Sequence, residues 1–298
     1  MKENILNNCT LCPRECHADR LSGKTGFCGA DDKIRIAGYH LHMWEEPCIS
    51  GEKGSGTVFF SHCCMKCVFC QNYRISTENS GYTVSEDELA EIFINLENRG
   101  ANNINLVTPT HNVPQIIKAL DIAKKQGLSL PVIYNCSGYE NAKTIKMLKG
   151  YVDVFLPDFK YFDDKYSLKY SGAKNYFKHA SSSLAQMYAQ TGKCRFDENG
   201  IIQSGVIVRH LMLPGLTFDT KKILDYLHSE YGNNIYISIM NQYTPLETLP
   251  KNFPELNKKL NPALYESILD YAEKIGIENA YIQLEGTVSE SFIPDFCK

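Results

Sequence analysis

The sequence contains no run of about 18 apolar residues, so no segment is long enough to cross a bilayer as a helix. Its opening residues, Met1-Lys2-Glu3-Asn4-Ile5-Leu6-Asn7-Asn8, lack the apolar core of a secretion leader, which predicts a cytoplasmic protein. Charge of one sign is missing as well: 31 basic and 34 acidic residues leave a net charge of −3. The pairs Lys124-Lys125, Lys221-Lys222 and Lys258-Lys259 stand apart and read as solvated helix faces. This mixed pattern excludes nucleic acid and an anionic membrane as partners. The stretch Gly51-Glu52-Lys53-Gly54-Ser55-Gly56 lacks the G-x-x-x-x-G-K-S/T order of a phosphate loop, and it precedes a strand instead of following one. It reads as a flexible turn into that strand.

Cysteine, by contrast, is plentiful, with 12 in 298 residues. Without an export signal, so many predict thiols and metal ligands in a reducing compartment, not disulfides. Cys48, Cys136, Cys194 and Cys297 stand alone and read as buried free thiols. The rest fall into two groups.

The denser group is Ser61-His62-Cys63-Cys64-Met65-Lys66-Cys67-Val68-Phe69-Cys70, in which Cys63, Cys67 and Cys70 have C-x3-C-x2-C spacing. Thr57-Val58-Phe59-Phe60 before it is β-branched and aromatic and predicts a buried strand. The cysteines then lie on a loop at a strand's end, where parallel sheets and barrels carry their sites. Three thiolates on one loop suit a metal centre that keeps one position free, such as an iron–sulfur cube with a fourth iron unclaimed by protein. A structural zinc would need a fourth ligand, which His62 or Cys64 could supply. Disulfides between such close neighbours in a tight loop are geometrically poor.

The second group is Cys9, Cys12, Cys16 and Cys28, spaced C-x2-C-x3-C-x11-C. Four thiols among glycines and a proline predict a closed metal site, either structural zinc or an iron–sulfur cluster. A segment this short has too little core to fold without such a staple. Residues 33–56 connect the two groups. Lys33–Tyr39 has strand character, and His40 and His42 would share one strand face, as ligands or as ordinary packed side chains.

From Thr57 onward, strand and helix patterns alternate. Strands are predicted at Thr57–Ser61, Asn103–Val107, Pro131–Asn135, Val152–Pro157, Gly205–Leu211 and Asn234–Met240, with a short one at Ala280–Leu284. Helices are predicted at Glu86–Asn98 behind an Ser85 cap, Pro114–Gln126, Glu140–Lys149, Asp219–Glu230 and Pro262–Lys274, with a weaker pattern around Ser181–Gln190. Six β/α units predict an α/β fold in which a parallel sheet curves into a partial (β/α)6 barrel. The division is residues 1–50 for the Cys-rich module with its connector and 51–298 for the barrel. Strand ends then bring polar groups together: Thr108-Pro109-Thr110-His111, Asn135-Cys136-Ser137, Asp158-Phe159-Lys160, Arg209-His210 and Gln242. Any one of them reads equally as a turn former or an ordinary ion pair.

The chain resembles the radical S-adenosylmethionine (SAM) enzymes related to pyruvate formate-lyase activating enzyme. The resemblance rests on C-x-L-C-P-R-x-C at the N-terminus, Trp44–Pro47, Gly54–Phe60, the C-x3-C-x2-C loop, Cys70–Asn72 and Pro109–His111. It implies that Cys63, Cys67 and Cys70 hold a 4Fe–4S cluster whose free iron takes the amino and carboxylate groups of SAM, with Phe69 near the adenine. Asn135, Ser137, Asp158 and Lys160 match positions that hold the methionyl and ribose groups and a monovalent cation. The family's Gly-Gly-Glu turn is absent, and Thr108-Pro109-Thr110-His111 stands in its place, so backbone carbonyls or Thr110 would receive the amino group. Cys64 creates a competing C-x2-C-x2-C, against which the family spacing favours Cys63. His111, Arg209, His210 and Gln242 are substrate-side candidates.

The implied reaction is one-electron cleavage of SAM to methionine and a 5′-deoxyadenosyl radical, which takes a hydrogen atom from a substrate. Such a cluster is oxygen-sensitive and needs a flavodoxin- or ferredoxin-like electron donor. The substrate is a glycyl-radical enzyme to be activated, or a peptide or small molecule. A reading from another class, a non-catalytic iron–sulfur or zinc protein for electron transfer or scaffolding, stands beside these.

Overall fold

The computed structural model describes residues 5–283 apart from 79, 247, 248 and 250. Cys297, the predicted strand end at Leu284 and the opening residues Met1–Asn4 lie outside the described residues. Among the described residues ten strands form one sheet. They are β1 (Ile34–His42), β2 (Ser55–Phe60), β3 (Tyr82–Val84), β4 (Ile104–Val107), β5 (Val132–Cys136), β6 (Val154–Pro157), β7 (Arg195–Phe196), β8 (Ile202–Leu211), β9 (Tyr236–Met240) and β10 (Ala280–Ile282). The order is β10-β9-β8-β6-β5-β4-β2-β1-β3, with β7 beside β8. The run from β2 to β10 is parallel, as crossover helices require. The fold is mixed α/β around a parallel sheet, a partial barrel with helices outside.

The sequence pattern places these elements closely. Glu86–Asn98 is helical, and Ser85 and Glu88 close a capping box: Glu88 N donates to Ser85 Oγ at 3.2 Å and Ser85 N to Glu88 Oε2 at 2.7 Å. Its Leu89, Ile92, Phe93 and Leu96 face the sheet and are buried, at about 2 kcal/mol for each large side chain. Pro262–Lys274 also forms as predicted. The weak pattern near Ser181 is the end of a longer helix, Tyr176–Thr191. The predicted helix from Glu140 begins instead at Ala142, because Glu140 turns into the core. The strand character of Lys33–Tyr39 is realised as β1, whereas a helix at Asp164–Ser171 and the antiparallel strand β3 had no counterpart in the sequence pattern.

β1 runs antiparallel to β2, pairing His42 with Ser55 and Ile36 with Phe60. Past β1 the chain turns under the barrel as Met43–Glu46 and the short helix Pro47–Ser50. The two residues just before β4 anchor that helix: Asn103 Nδ2 donates to Ile49 O at 2.8 Å and Asn102 Nδ2 to Ser50 O at 2.6 Å. On the far side Cys48 contacts Tyr281 of β10. The segment thus bridges two distant strands and floors the barrel.

Candidate active site

The loop after β2 carries the C-x3-C-x2-C thiols. His62 and Lys66 take φ of 73° and 51°, so the chain doubles back tightly without glycine. Val68 N donates to Tyr170 O at 2.9 Å, tying the loop to the helix ending at Ser171. Cys63, Cys67 and Cys70 all line a cavity of about 610 Å³ inside the barrel. Each sulfur already accepts a hydrogen bond: Cys63 from Met65 N at 3.3 Å, Cys67 from Ser171 Oγ at 3.0 Å, Cys70 from Ser76 Oγ at 3.4 Å. Burial pushes the Cys67 thiol up to about 12 and raises Cys70, while a hydrogen bond from Cys64 and backbone N–H groups lower Cys63. Lys160 bears on all three, so a positive charge faces the thiols. Among the described residues no three His, Cys, Asp or Glu side chains converge on one point as a single ion would demand. A cube spreads its ligands over separate iron corners and demands no such convergence. The donor set fits it: three cavity-facing sulfurs, each hydrogen-bonded in the way that tunes iron–sulfur clusters. Cys64 is buried, does not line the cavity and points its sulfur toward Tyr139 O at 3.9 Å.

Opposite the thiols stand the strand ends. Asn135, Ser137, Asp158 and Lys160 line the same cavity, with Lys160 Nζ 2.6 Å from Asp158 Oδ2. Burial alone would lower the Lys160 pKa, but the Asp158 carboxylate and the nearby thiols raise it. The Tyr176 hydroxyl knots these ends together. It accepts from Lys160 N at 2.9 Å and meets the carbonyls of Ser137 at 2.9 Å and Asp158 at 3.2 Å. Gly138, at φ +74°, lets the β5 turn abut the β6 end; a Cβ there would lie 2.1 Å from Asp158 O. Phe69 lines the cavity and meets the Tyr243 ring edge-on at 6.4 Å, and Gln242 also lines it.

Three expected residues are placed elsewhere. Thr110 is buried beside the cavity, not on it, and its Oγ1 donates to Glu140 Oε1 at 2.7 Å. Thr108, at φ 59°, faces the cavity in its stead. His111 is buried behind the site with both ring nitrogens unpartnered, its ring edge-on to His62 at 5.8 Å. Burial there drives its pKa down to about 3. His210 is a strut: Nδ1 meets Phe159 O at 2.7 Å and Nε2 meets Thr220 Oγ1 at 2.9 Å. Periodicity puts such residues at strand ends but does not say which way they face.

Arg209 does reach the cavity, in company the sequence did not foretell. Its Nε donates to Glu46 Oε1 at 2.8 Å and its Nη2 to Glu46 Oε2 at 2.5 Å and to Glu45 Oε2. Glu45 also accepts from Asn105 Nδ2 at 2.9 Å. Burial would raise the Glu46 pKa, but the guanidinium holds it below the ordinary value. His40 and His42 share a face as expected; His40 stacks on Phe59 at 5.3 Å and His42 joins the cavity wall.

The N-terminal loop packs against the outside of this site. Cys9 N donates to Ala18 O at 3.1 Å and Glu15 N to Cys12 O at 3.0 Å. Cys9 and Cys28 are buried, Cys12 is partly so, and Cys16 is exposed. Arg20, 1% exposed, approaches Cys9 Sγ at 3.9 Å and donates to His111 O at 2.6 Å. Cys12 is drawn toward Cys64, which also meets Cys63, so a row of thiols joins the two loops. Arg14 clamps the junction, donating to Cys64 O at 2.9 Å, Ser171 O at 3.0 Å and Gly172 O at 2.5 Å.

A family model for the radical SAM superfamily matches residues 57–227. The chain belongs to that superfamily, and membership implies a 4Fe–4S cluster and SAM. It is 31% identical over 289 residues to an uncharacterized protein of Methanocaldococcus jannaschii, across 94% of this chain and 78% of that one. In fold it is similar to Streptococcus suis SuiB, with a TM-score of 0.50 and 12% identity over 75% of this chain and 47% of that chain. It is also similar to HydG, a maturase of the FeFe-hydrogenase, with a TM-score of 0.51 and 13% identity over 77% of this chain and 51% of that chain. The chain thus spans about half the length of these two solved structures. No helix among the described residues is long and apolar enough to cross a membrane.

Proposed function

We propose that the barrel cavity is the chamber of a radical SAM oxidoreductase in which Cys63, Cys67 and Cys70 hold the cluster. The observation that carries this is the sharing of one cavity by three hydrogen-bonded thiols and the polar ends of β5 and β6. Held by Cys63, Cys67 and Cys70, a 4Fe–4S cluster would supply one-electron reduction of the SAM sulfonium, to methionine and a 5′-deoxyadenosyl radical able to take a hydrogen atom from substrate. The protein's share is placement. Met65 N, Ser76 and Ser171 fix the sulfurs, and Lys160 offsets their charge. Asn135, Ser137 and the Asp158–Lys160 pair offer donors and acceptors to the amino-acid and ribose ends of SAM, and Asp158 a carboxylate for a monovalent cation. Phe69 and Tyr243 close over the adenine side and keep water away. With Thr110 committed to Glu140, carbonyls around Thr108 receive the amino group.

The finer reading is an activase that takes hydrogen from a glycine of a partner protein, supported by the motif resemblance to pyruvate formate-lyase activating enzyme. A flavodoxin- or ferredoxin-like donor supplies the electron. The N-terminal thiols hold a second metal that braces the cluster loop; because among the described residues no three ligating side chains converge there as a single zinc ion demands, an iron–sulfur cluster is favoured over zinc. Anaerobic reconstitution with iron and sulfide, followed by dithionite and SAM, tests the core reading. Expected is 5′-deoxyadenosine. A fully loaded protein that makes none overturns the enzyme in favour of an electron carrier or scaffold. A radical signal on a co-incubated glycyl-radical enzyme tests the activase.

A further inference from the structure

Among the described residues five charged side chains line the cavity: Glu45, Glu46, Asp158, Lys160 and Arg209. Asp158 and Lys160 offset each other at 2.6 Å. Arg209 offsets one of the two glutamates, and one carboxylate remains in surplus at the floor. The Glu45 and Glu46 side chains are 8% and 5% exposed, so bulk water does little to screen that surplus. His42 beside them does not cancel it, because burial lowers its pKa and keeps it neutral. An uncompensated buried charge is costly unless something pairs with it. Aromatic rings line the same cavity: Phe59, stacked on one side by His40; Tyr281, stacked on one side by Tyr236; and Trp44, 65% exposed. The faces of such rings attract cations. A third negative group against Arg209 would meet two carboxylates already in place, so the guanidinium is a poor receptor for an anion.

We propose that the floor formed by Glu45, Glu46 and Arg209 receives a substrate group carrying one positive charge, an ammonium or a guanidinium. This rests on the cavity being the catalytic chamber, and it names the chemical class of what enters beneath SAM. The charge belongs either to a small amine or to a Lys or Arg side chain of a peptide.

Trp44 is the sole tryptophan of the chain and lines the cavity, so its fluorescence reads occupancy. Reconstituted protein is titrated at constant ionic strength with propylammonium, methylguanidinium, propanol and acetate, and with Gly-Gly-Lys-Gly against Gly-Gly-Glu-Gly. Saturable change is expected with the cations alone, and stronger binding of the Lys peptide than of propylammonium marks a peptide source. In Glu45→Gln the cation affinity should fall at least about tenfold, the loss of roughly one interaction of 1.4 kcal/mol. Glu46→Gln removes the same surplus charge and serves if the first variant does not fold; if neither folds, the wild-type contrast between cations and propanol decides. Equal binding of propanol or acetate, no saturable cation response, or unaltered cation affinity in a folded variant overturns the proposal. Cation binding is read without SAM turnover, so its failure and a failure of SAM cleavage are separate results.

Discussion

The N-terminal loop turns its thiols outward and sideways: Cys16 is exposed, Cys12 faces Cys64, and Cys9 sits under Arg20. The loop after β2 turns three thiols inward onto one open volume. Both loops are short, cysteine-dense and folded through backbone hydrogen bonds between near neighbours. They differ in what lies in front of the sulfur. None of the outer group lines the barrel cavity, so a metal there would have no substrate space in front of it. The inner group faces space large enough for a nucleotide and a second molecule. A ligand motif alone therefore says that metal binds; the space beside it says whether chemistry follows.

The strongest way to break this contrast is to exchange the ligands. Cys67→Ala or Cys63→Ala should remove the cavity cluster and cut 5′-deoxyadenosine formation by about a thousandfold or more, whereas Cys64→Ala should keep the cluster. Iron and sulfide counts on the purified variants read this, and iron lost from Cys64→Ala but kept in Cys63→Ala would reverse the assignment. Next in size is the floor of the inner chamber. Arg209→Ala strands two buried carboxylates and should cost about 3–5 kcal/mol in urea unfolding. If the loss is under about 1 kcal/mol, the triad is more solvated than its burial implies.

Acid supplies a smaller effect. Burial holds the His210 pKa down to about 4 against an ordinary 6.5, so below 6.5 the unfolded chain takes a proton that the folded chain refuses. Stability is thus complete above about pH 6.5 and falls progressively toward pH 4, by about 3 kcal/mol from this residue. His111 adds to the same slope. His210→Gln should flatten its part in unfolding measured across that window. Arg14→Ala, which releases three carbonyls where the loops meet, should cost about 2 kcal/mol and lower iron retention at the inner loop. Retained iron with full stability would show the loops to be independent. Last, Ser85→Ala, remote from both loops, should cost about 1 kcal/mol with no change in metal content.

Much of this frame was legible beforehand. Alternating apolar runs gave the parallel strands, and Ser85 marked a helix start to the residue. The C-x3-C-x2-C spacing picked out the three thiols that share the cavity. What escaped was orientation and distant pairing. Thr110 and His210 sit where a strand-end rule puts functional groups, yet Glu140 and Phe159 claim them inside the core. Glu45 and Glu46 lie 164 and 163 residues from Arg209, and no local pattern records that meeting. Tyr176 binds two strand ends from the start of a helix whose full length the apolar spacing hid.

Arg14 also sets a timetable. It is made long before two of its three carbonyl partners, which belong to Ser171 and Gly172, the latter 158 residues further on. Until more than half of the 298 residues have been made, the clamp has nothing there to grip. The inner loop therefore takes its final shape only after Gly172 has been made, and iron delivery is a task for a chain at least that long.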